Sequence, residues 1–358
     1  MRYIIKPAIT AISFLLAACG SENTSNDADS EVTQITPVSW RMTSTFPSSM
    51  PILGTLGKEL AKNVEAISGG TVELEFIEPG VLVPALEIFD AVSYGAIEAG
   101  WSTSGYWGGK ISALQLFTAV PFGPSAPEYI SWYDYGGGKE IYERIYAEHN
   151  IHGVICGVTP PEAGGWFKQE INTLEDFKGK KIRFFGLGGK VLEKVGASPQ
   201  LIAGGEIYQA LELGTIDGTE YAMPVVDLNL GFYEVAKHYY LPGWHQQTSF
   251  FELLINKKAW NSLHKTQQVQ IEAACSHNIR VGLGLGESLQ TDAIATLKEK
   301  GAIIHRWSPE ILAGLKVAWL EVAKEQSDMD PIFAEAWHSL SAFRKKYRVW
   351  SELGYLKD

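Results

Sequence analysis

Cysteine is scarce in this chain: 358 residues carry only three. There is no CxxC pair and no Cys/His spacing of the zinc type, which excludes a structural zinc module. Positive charge is also in deficit. Thirty Lys and Arg against 41 Asp and Glu leave a net charge of −11, and so acidic a chain is a poor partner for nucleic acid. Long apolar runs are missing. The mostly apolar stretch Ala8–Leu16 is about half of the ~20 residues that a membrane span needs. Catalytic signatures are missing as well. There is no GxSxG and no HExxH, and Ser104 stands where a Walker loop would need its first glycine. Gly186-Leu-Gly-Gly189 is not a dinucleotide fingerprint, because Val191 holds the place of the last glycine, although Glu206 lies about where such a site wants its acid. The histidines do not cluster at metal-ligand spacing. Together these absences argue against an enzyme such as a lyase or dehydrogenase.

What is present begins with an address. Arg2 and Lys6 precede the apolar stretch, and Leu16-Ala-Ala-Cys19 matches a lipoprotein cleavage box, so residues 1–18 read as a lipoprotein signal peptide and Cys19 as the lipidated first residue. Residues 19–37 are rich in Ser, Asn, Asp, Glu and Thr and read as a disordered tether. Asp27, Asp29 and Glu31 lack the glycine and terminal glutamate of a calcium loop. Cys156 and Cys275 could pair in an oxidising compartment. They lie far apart, in elements of different kind, and two separate buried thiols are the expectation.

The body of the chain reads as α/β. Pro37–Met42, Val72–Ile77 and Glu98–Trp101 read as strands, alternating with helices over Met50–Ile67 and Pro84–Gly95, the order of a doubly wound parallel sheet. Val154–Val158 reads as the crossing into a second lobe and Phe250–Ile255 as the return. Helices follow at Thr266–Glu299, Pro309–Gln326 and from Pro331 to Tyr347. The expected division is lobe I over residues 38–158 with 250–308, lobe II over 159–249, and C-terminal helices over 309–358. Their tryptophans suit a core or a subunit contact, such as a homodimer through these helices. Two lobes joined by crossing strands suit a ligand clamped between them.

Two β-turn-α units carry the chemistry. Lys181-Ile-Arg183-Phe-Phe185 reads as a strand entering the turn Gly186-Leu-Gly-Gly189, which places Arg183 beside helix N–H groups that favour an anion. Ile207, Ala210, Leu211 and Leu213 mark a helix closed by Gly214. The short strand Ile216-Asp-Gly-Thr-Glu220 then ends in an acid, where an open α/β sheet binds ligands. Gly218 leaves room for a neighbouring chain segment. Other readings of the residues alone stand beside these. Arg183 could pair with an acid such as Asp176, Glu220 could cap a helix from Val225, and Glu162 could be an exposed loop acid. Trp40, Phe46, Tyr106, Trp107 and Tyr221 are candidate cleft aromatics that could equally be core. His245 reads as a hydrogen-bonded structural histidine.

With Gly204-Gly-Glu-Ile-Tyr-Gln-Ala-Leu211, Ala236-Lys-His-Tyr-Tyr240 and Pro242-Gly-Trp-His245, these units resemble the periplasmic substrate-binding subunits of TRAP (tripartite ATP-independent periplasmic) transporters, the DctP-type extracytoplasmic solute receptor family. The resemblance covers nearly the whole mature chain and implies a two-lobe periplasmic binding protein fold with the ligand cleft between the lobes and a helical C-terminal segment. It also implies a periplasmic location, membrane subunits as partners and no enzymatic activity.

The branch it most resembles binds 2-oxo and 2-hydroxy monocarboxylates with a metal cation, calcium or sodium by its oxygen ligands. The resemblance gives Arg183 the substrate carboxylate and gathers Glu162, Glu220, Tyr221 and Gln246 around cation and ligand, with Tyr106, Trp107 and Phe46 lining the cleft. Gln247 competes with Gln246 for the cleft-facing place. Two positions depart from the branch pattern. A glutamine usually precedes the Gly-Gly-Trp-Phe run, where this chain has Glu162. A glutamate usually follows Gly-Trp-His, where it has Gln246. The exchange keeps the number of acids constant. A larger sugar acid bound without metal, or a sensor partner of a membrane receptor, are the alternative functions.

Overall fold

In the computed structural model, which describes residues 35–356, eleven strands form two sheets. The signal peptide, most of the tether and Cys19 lie outside the described residues. Residues from Thr36 onward form one compact unit.

The first sheet contains β1 (Val38–Ser44), β2 (Val72–Ile77), β3 (Ala99–Ser102), β4 (Ile151–Thr159) and β10 (Ser249–Asn256), in the order β2-β1-β3-β10-β4. β1 runs parallel to β2 and β3, as the β-α-β-α-β pattern requires. β10 inserts antiparallel between β3 and β4, so the sheet is mixed. All eight residues of β10 are buried, as a strand packed on both faces demands.

The second sheet contains β5 (Gly165–Phe167), β6 (Lys181–Arg183), β7 (Ser198–Gln200), β8 (Gly218–Thr219), β9 (His238–Leu241) and β11 (Ile303–Arg306), in the order β11-β9-β5-β8-β6-β7. β6 is parallel to β7 and β8, and β5 is antiparallel to β8 and β9. The close approach at Gly218 is real: a Cβ there would sit 2.6 Å from Phe167 Cδ1 and 2.8 Å from the Trp166 carbonyl.

Three features differ from the sequence reading. Residues 303–306, expected with the first lobe, pair with β9 in the second sheet, because the 35-residue helix Lys265–Glu299 carries the chain back across the molecule. The C-terminal helices do not stand apart. Pro309–Met329 packs on the helix Gly186–Lys194 behind the second sheet, and Pro331–Leu353 packs on Ala126–Tyr135 and the turn Ser112–Phe117 beside the first. Cys156 and Cys275 form a disulfide, with Cα atoms 4.1 Å apart. The long helix lies along β4, Asn278 Nδ2 donates to the Cys156 carbonyl at 2.8 Å, and residues 119 apart in sequence meet.

Candidate binding site

Three segments of the second lobe are tied together by backbone hydrogen bonds before any side chain acts. Glu162 N donates to the Gln246 carbonyl (3.2 Å), Gly243 N to the Glu162 carbonyl (2.8 Å), and Ala163 N to the Ala222 carbonyl (3.1 Å). Glu220 N donates to the Arg183 carbonyl (3.2 Å), which joins the end of β6 to the same cluster. Glu162, Arg183, Glu220, Tyr221 and Gln246, dispersed over 85 positions, are thereby brought to one place, all of them buried.

Each acid is anchored through one oxygen. Glu220 Oε1 accepts from Arg183 Nη1 (2.8 Å) and from Phe185 N (2.5 Å), at the start of the helix Gly186–Lys194. Glu162 Oε1 accepts from Gln246 Nε2 (2.6 Å). The second oxygens, Glu162 Oε2 and Glu220 Oε2, and the amide oxygen Gln246 Oε1 have no hydrogen-bond partner. His245 joins them. It is fully buried, neither ring nitrogen is hydrogen-bonded, and Nε2 lies 3.4 Å from Glu220 Oε2 and 3.9 Å from Glu162 Oε2. One donor atom from each of Glu162, Glu220 and His245 lies within 4.8 Å of the others, a grouping that fits a metal ion. This corrects the expectation of a hydrogen-bonded structural histidine. The signal in the sequence was position: His245 precedes Gln246, and Gly188 leaves the space its Cβ fills.

The electrostatics separate the two acids. Burial pushes the Glu162 carboxyl well above the usual range, and the negative Glu220 and Asp227 push it further. For Glu220 burial acts the same way, but Arg183, His245 and the Phe185 N–H outweigh it and hold the carboxyl below its ordinary value. Glu220 is thus an anion by construction, and Glu162 ionises readily only when positive charge is brought to it.

Arg183 is 1% exposed. Its Nη1 also donates to the Glu220 carbonyl (2.7 Å) and its Nε to the Ile202 carbonyl (3.2 Å), while its guanidinium stacks over Tyr221 at 5.1 Å. Asp176 is not its partner, because Asp176 caps its own turn by accepting from Asn172 N and Thr173 N. Among the described residues Arg183 Nη2 makes no hydrogen bond, which leaves two N–H groups for another anion. A narrow pocket of about 20 Å³ lies here, lined by Arg183, Glu162, Tyr221, Gln246 and Phe185 from one side and by Phe46, Leu53, Thr103, Tyr106, Ser249 and Phe251 from the other.

Phe46 and Tyr106 therefore reach the pocket. Trp107 does not: it is fully buried, and its Nε1 donates to Glu252 Oε1 (3.0 Å). In the tight turn Ser104–Trp107 neighbouring side chains diverge, so Tyr106 faces the cleft and Trp107 the core. Trp40 is likewise a core residue. Gln246 faces the acids, while Gln247 Nε2 turns to the Gly243 carbonyl (2.7 Å). Thr103 opens the run Thr103–Trp107 that follows the third strand, a cleft position by sequence, whereas Leu53, Phe185, Ser249 and Phe251 carry no local mark of a cleft.

Residues 42–329 match the family described as bacterial extracellular solute-binding protein, family 7. The chain belongs to this family. Over 351 residues it is 35% identical to a monocarboxylate 2-oxoacid-binding periplasmic protein of Nostoc sp., covering 98% of this chain and 94% of the relative. Two solved structures superpose with TM-scores of 0.85. One is a TRAP periplasmic solute-binding protein from Colwellia psychrerythraea with bound calcium and pyruvate (35% identity, 89% of this chain, 97% of the other). The other, from Pseudoalteromonas atlantica, has bound sodium and pyruvate (33% identity, 88% and 97%). Family 7 members are periplasmic transport proteins, and the two-sheet architecture with its helical C-terminal segment is theirs.

Proposed function

We propose that this chain is the extracytoplasmic solute-binding subunit of a TRAP transporter and that it holds a small 2-oxo or 2-hydroxy monocarboxylate together with calcium or sodium. One observation carries the reading: Glu162 Oε2, Glu220 Oε2 and Gln246 Oε1, all buried and without partners, gather beside a pocket bordered by Arg183. Buried oxygens left unpaired cost about 1–3 kcal/mol each, and carboxylate and amide oxygens are the donors that calcium takes. A bound cation would neutralise the two acids and offer the ligand a positive point beside its carboxylate and 2-oxo or 2-hydroxy oxygen.

The protein's own groups do the rest. Arg183 Nη2 presents two N–H groups to the ligand carboxylate. Nε and Nη1 are engaged within the protein, so Nη2 is the guanidinium nitrogen left for the ligand. Phe46, Tyr106, Phe185 and Phe251 exclude water, which strengthens every charge interaction inside. Thr103 and Ser249 offer hydroxyls to the rest of the ligand. The relatives with pyruvate and calcium, or pyruvate and sodium, support this assignment.

Calorimetric titration with pyruvate tests it, with calcium present and again after exhaustive chelation. Affinity is expected to fall at least about tenfold on chelation, or ~1.4 kcal/mol. Unchanged affinity refutes the cation mechanism, and failure of any small 2-oxo or 2-hydroxy acid to bind refutes the substrate class. Two finer points belong to the same reading. Cys19 is proposed as a lipid anchor, which membrane fractionation of wild type and Cys19→Ser checks. A homodimer through the C-terminal helices is proposed from Val317, Leu320, Val349 and Trp350, each at least 58% exposed, and light scattering checks it.

A further inference from the structure

Acids outnumber Lys and Arg in this chain by 41 to 30, yet one cleft reverses the balance. It lies between the helices Pro309–Met329 and Pro331–Leu353, measures about 360 Å³, and is lined by four cations and a single acid, Glu128. Small-molecule sites usually measure about 300–1,000 Å³. Glu128 is already engaged. Arg344 donates from Nε to Glu128 Oε1 (3.2 Å), from Nη1 to the Phe122 carbonyl (3.0 Å) and from Nη2 to the Gly123 carbonyl (3.1 Å). That pairing removes one acid and one cation from account. Lys316, Lys345 and Arg348 remain, and none of them forms an ion pair among the described residues. Ser341, Lys345 and Arg348 are spaced at three and four positions, so one helix face presents all three. Two uncharged groups join them. Trp319 is 3% exposed, and its indole N–H, which can only donate, makes no hydrogen bond among the described residues. Ser341 Oγ is buried and also unpartnered, where buried polar groups are ordinarily paired. No free carboxylate or amide oxygen lines the cleft. Trp319 and Trp337, edge-on with centroids 5.2 Å apart, add an aromatic wall.

We propose that this cleft is a second ligand site and that it takes an organic phosphate. Its lining shares no residue with the solute pocket, and the inference does not depend on the solute reading. Donors and cations without a free acceptor select an anion over a cation. Three unanswered positive charges suit a phosphate, which carries about −1.5 to −2 near neutral pH, better than a single carboxylate. Arg348 offers the planar fork that matches two phosphate oxygens. Lys316 and Lys345 supply point charges, the Trp319 N–H and the Ser341 hydroxyl supply directed bonds, and the aromatic wall takes the organic part. Of the residues proposed above for a homodimer, only Leu320 borders the cleft, so the two proposals are tested separately.

The test is calorimetric titration of the full mature protein with phenyl phosphate at low ionic strength, with benzoate as the singly charged comparison. Phenyl phosphate is expected to bind once per chain, and at least about tenfold more tightly than benzoate. The double variant Lys345→Gln with Arg348→Gln changes two exposed side chains and is expected to weaken that binding at least about tenfold. Trp319→Phe deletes one N–H and no charge. It is expected to weaken binding severalfold, a loss that diffuse attraction to a basic surface would not show. Pyruvate titrated with calcium is expected to bind every variant as it binds wild type, so failure of this site and failure of the solute reading are seen apart. Absence of phenyl phosphate binding, equal affinity for benzoate, or affinity unmoved by the double variant or by Trp319→Phe overturns the proposal. Pyruvate affinity that falls in the double variant overturns the separateness of the two sites.

Discussion

Arg183 is the residue whose replacement separates binding from folding most cleanly, provided that the substitution is chosen from the structure. Arg183→Ala is a poor choice. It removes the ligand's anchor but also leaves Glu220 buried, fully enclosed and without its ion-pair partner. Breaking a buried pair from one side costs about 3–5 kcal/mol, so the alanine variant is expected to melt several degrees lower. Arg183→Lys keeps a positive charge beside Glu220 but loses the planar fork. One ammonium cannot serve both Glu220 Oε1 and the pocket-facing direction of Nη2. Losing a charge-assisted hydrogen bond to the ligand costs about 1.5–3 kcal/mol, or roughly 10- to 150-fold in affinity. Calorimetry with pyruvate and calcium should therefore show weakened binding in the lysine variant, while its thermal unfolding stays closer to wild type than that of the alanine variant. A lysine variant that binds within about threefold of wild type removes Arg183 from the ligand. An alanine variant that melts at the wild-type temperature refutes the energetic role assigned to the pair with Glu220.

Three further outcomes are expected. Glu162→Gln should weaken calcium binding by about tenfold or more, because ligand charge sets affinity in such sites; the double variant Glu162→Gln with Gln246→Glu should restore most of it, and a double variant as weak as the single one contradicts the pairing. Glu252, buried under Trp107, Tyr142 and Tyr146, has its carboxyl pushed up by burial to about 7. The native state then holds a proton that the unfolded chain has released, so stability is greatest below the ordinary carboxylate range and declines as pH rises toward 7, by on the order of 3 kcal/mol. Glu252→Gln should flatten that slope in urea unfolding between pH 5 and 7, and an identical slope in both proteins refutes it. Reducing the Cys156–Cys275 bond, which spans 119 residues, should cost about 4–5 kcal/mol if loop entropy dominates; an unchanged denaturation midpoint under reductant argues that it does not.

What was legible in the sequence follows from the range of the forces involved. β1, β2 and β3 and the long helix are written in local hydrophobic period and are found within a few residues of where that period puts them. β5 and β9 are three and four residues long, too short for a period to develop, and their existence depends on partners far along the chain. The helices Ala126–Tyr135 and Gly138–Glu148 are less plain in the sequence because tyrosines, which serve a surface as readily as a core, make up much of their buried faces. The disulfide was misjudged for a related reason: sequence separation says nothing about distance once a 35-residue helix returns along a strand. At the site, Arg183 and Glu220 were legible because each ends a strand at a turn. Trp107 was misplaced because an aromatic pair in a tight turn gives no sign of which ring faces the cleft.

The exchange of amide and carboxylate between positions 162 and 246 is explained by contact. The two residues are joined twice, by Glu162 N to the Gln246 carbonyl and by Gln246 Nε2 to Glu162 Oε1. Of the four ways to place acid and amide on such a pair, two acids would repel in a buried site, and two amides would leave the centre one charge short. The two mixed arrangements share the same hydrogen bond and the same total charge, so either one preserves a cation site. They differ in where the unpaired oxygens fall. With the acid at position 162, the free carboxylate oxygen stands 3.9 Å from His245 Nε2, and Gln246 contributes only a neutral oxygen. Charge is thereby gathered beside Glu220 and the imidazole.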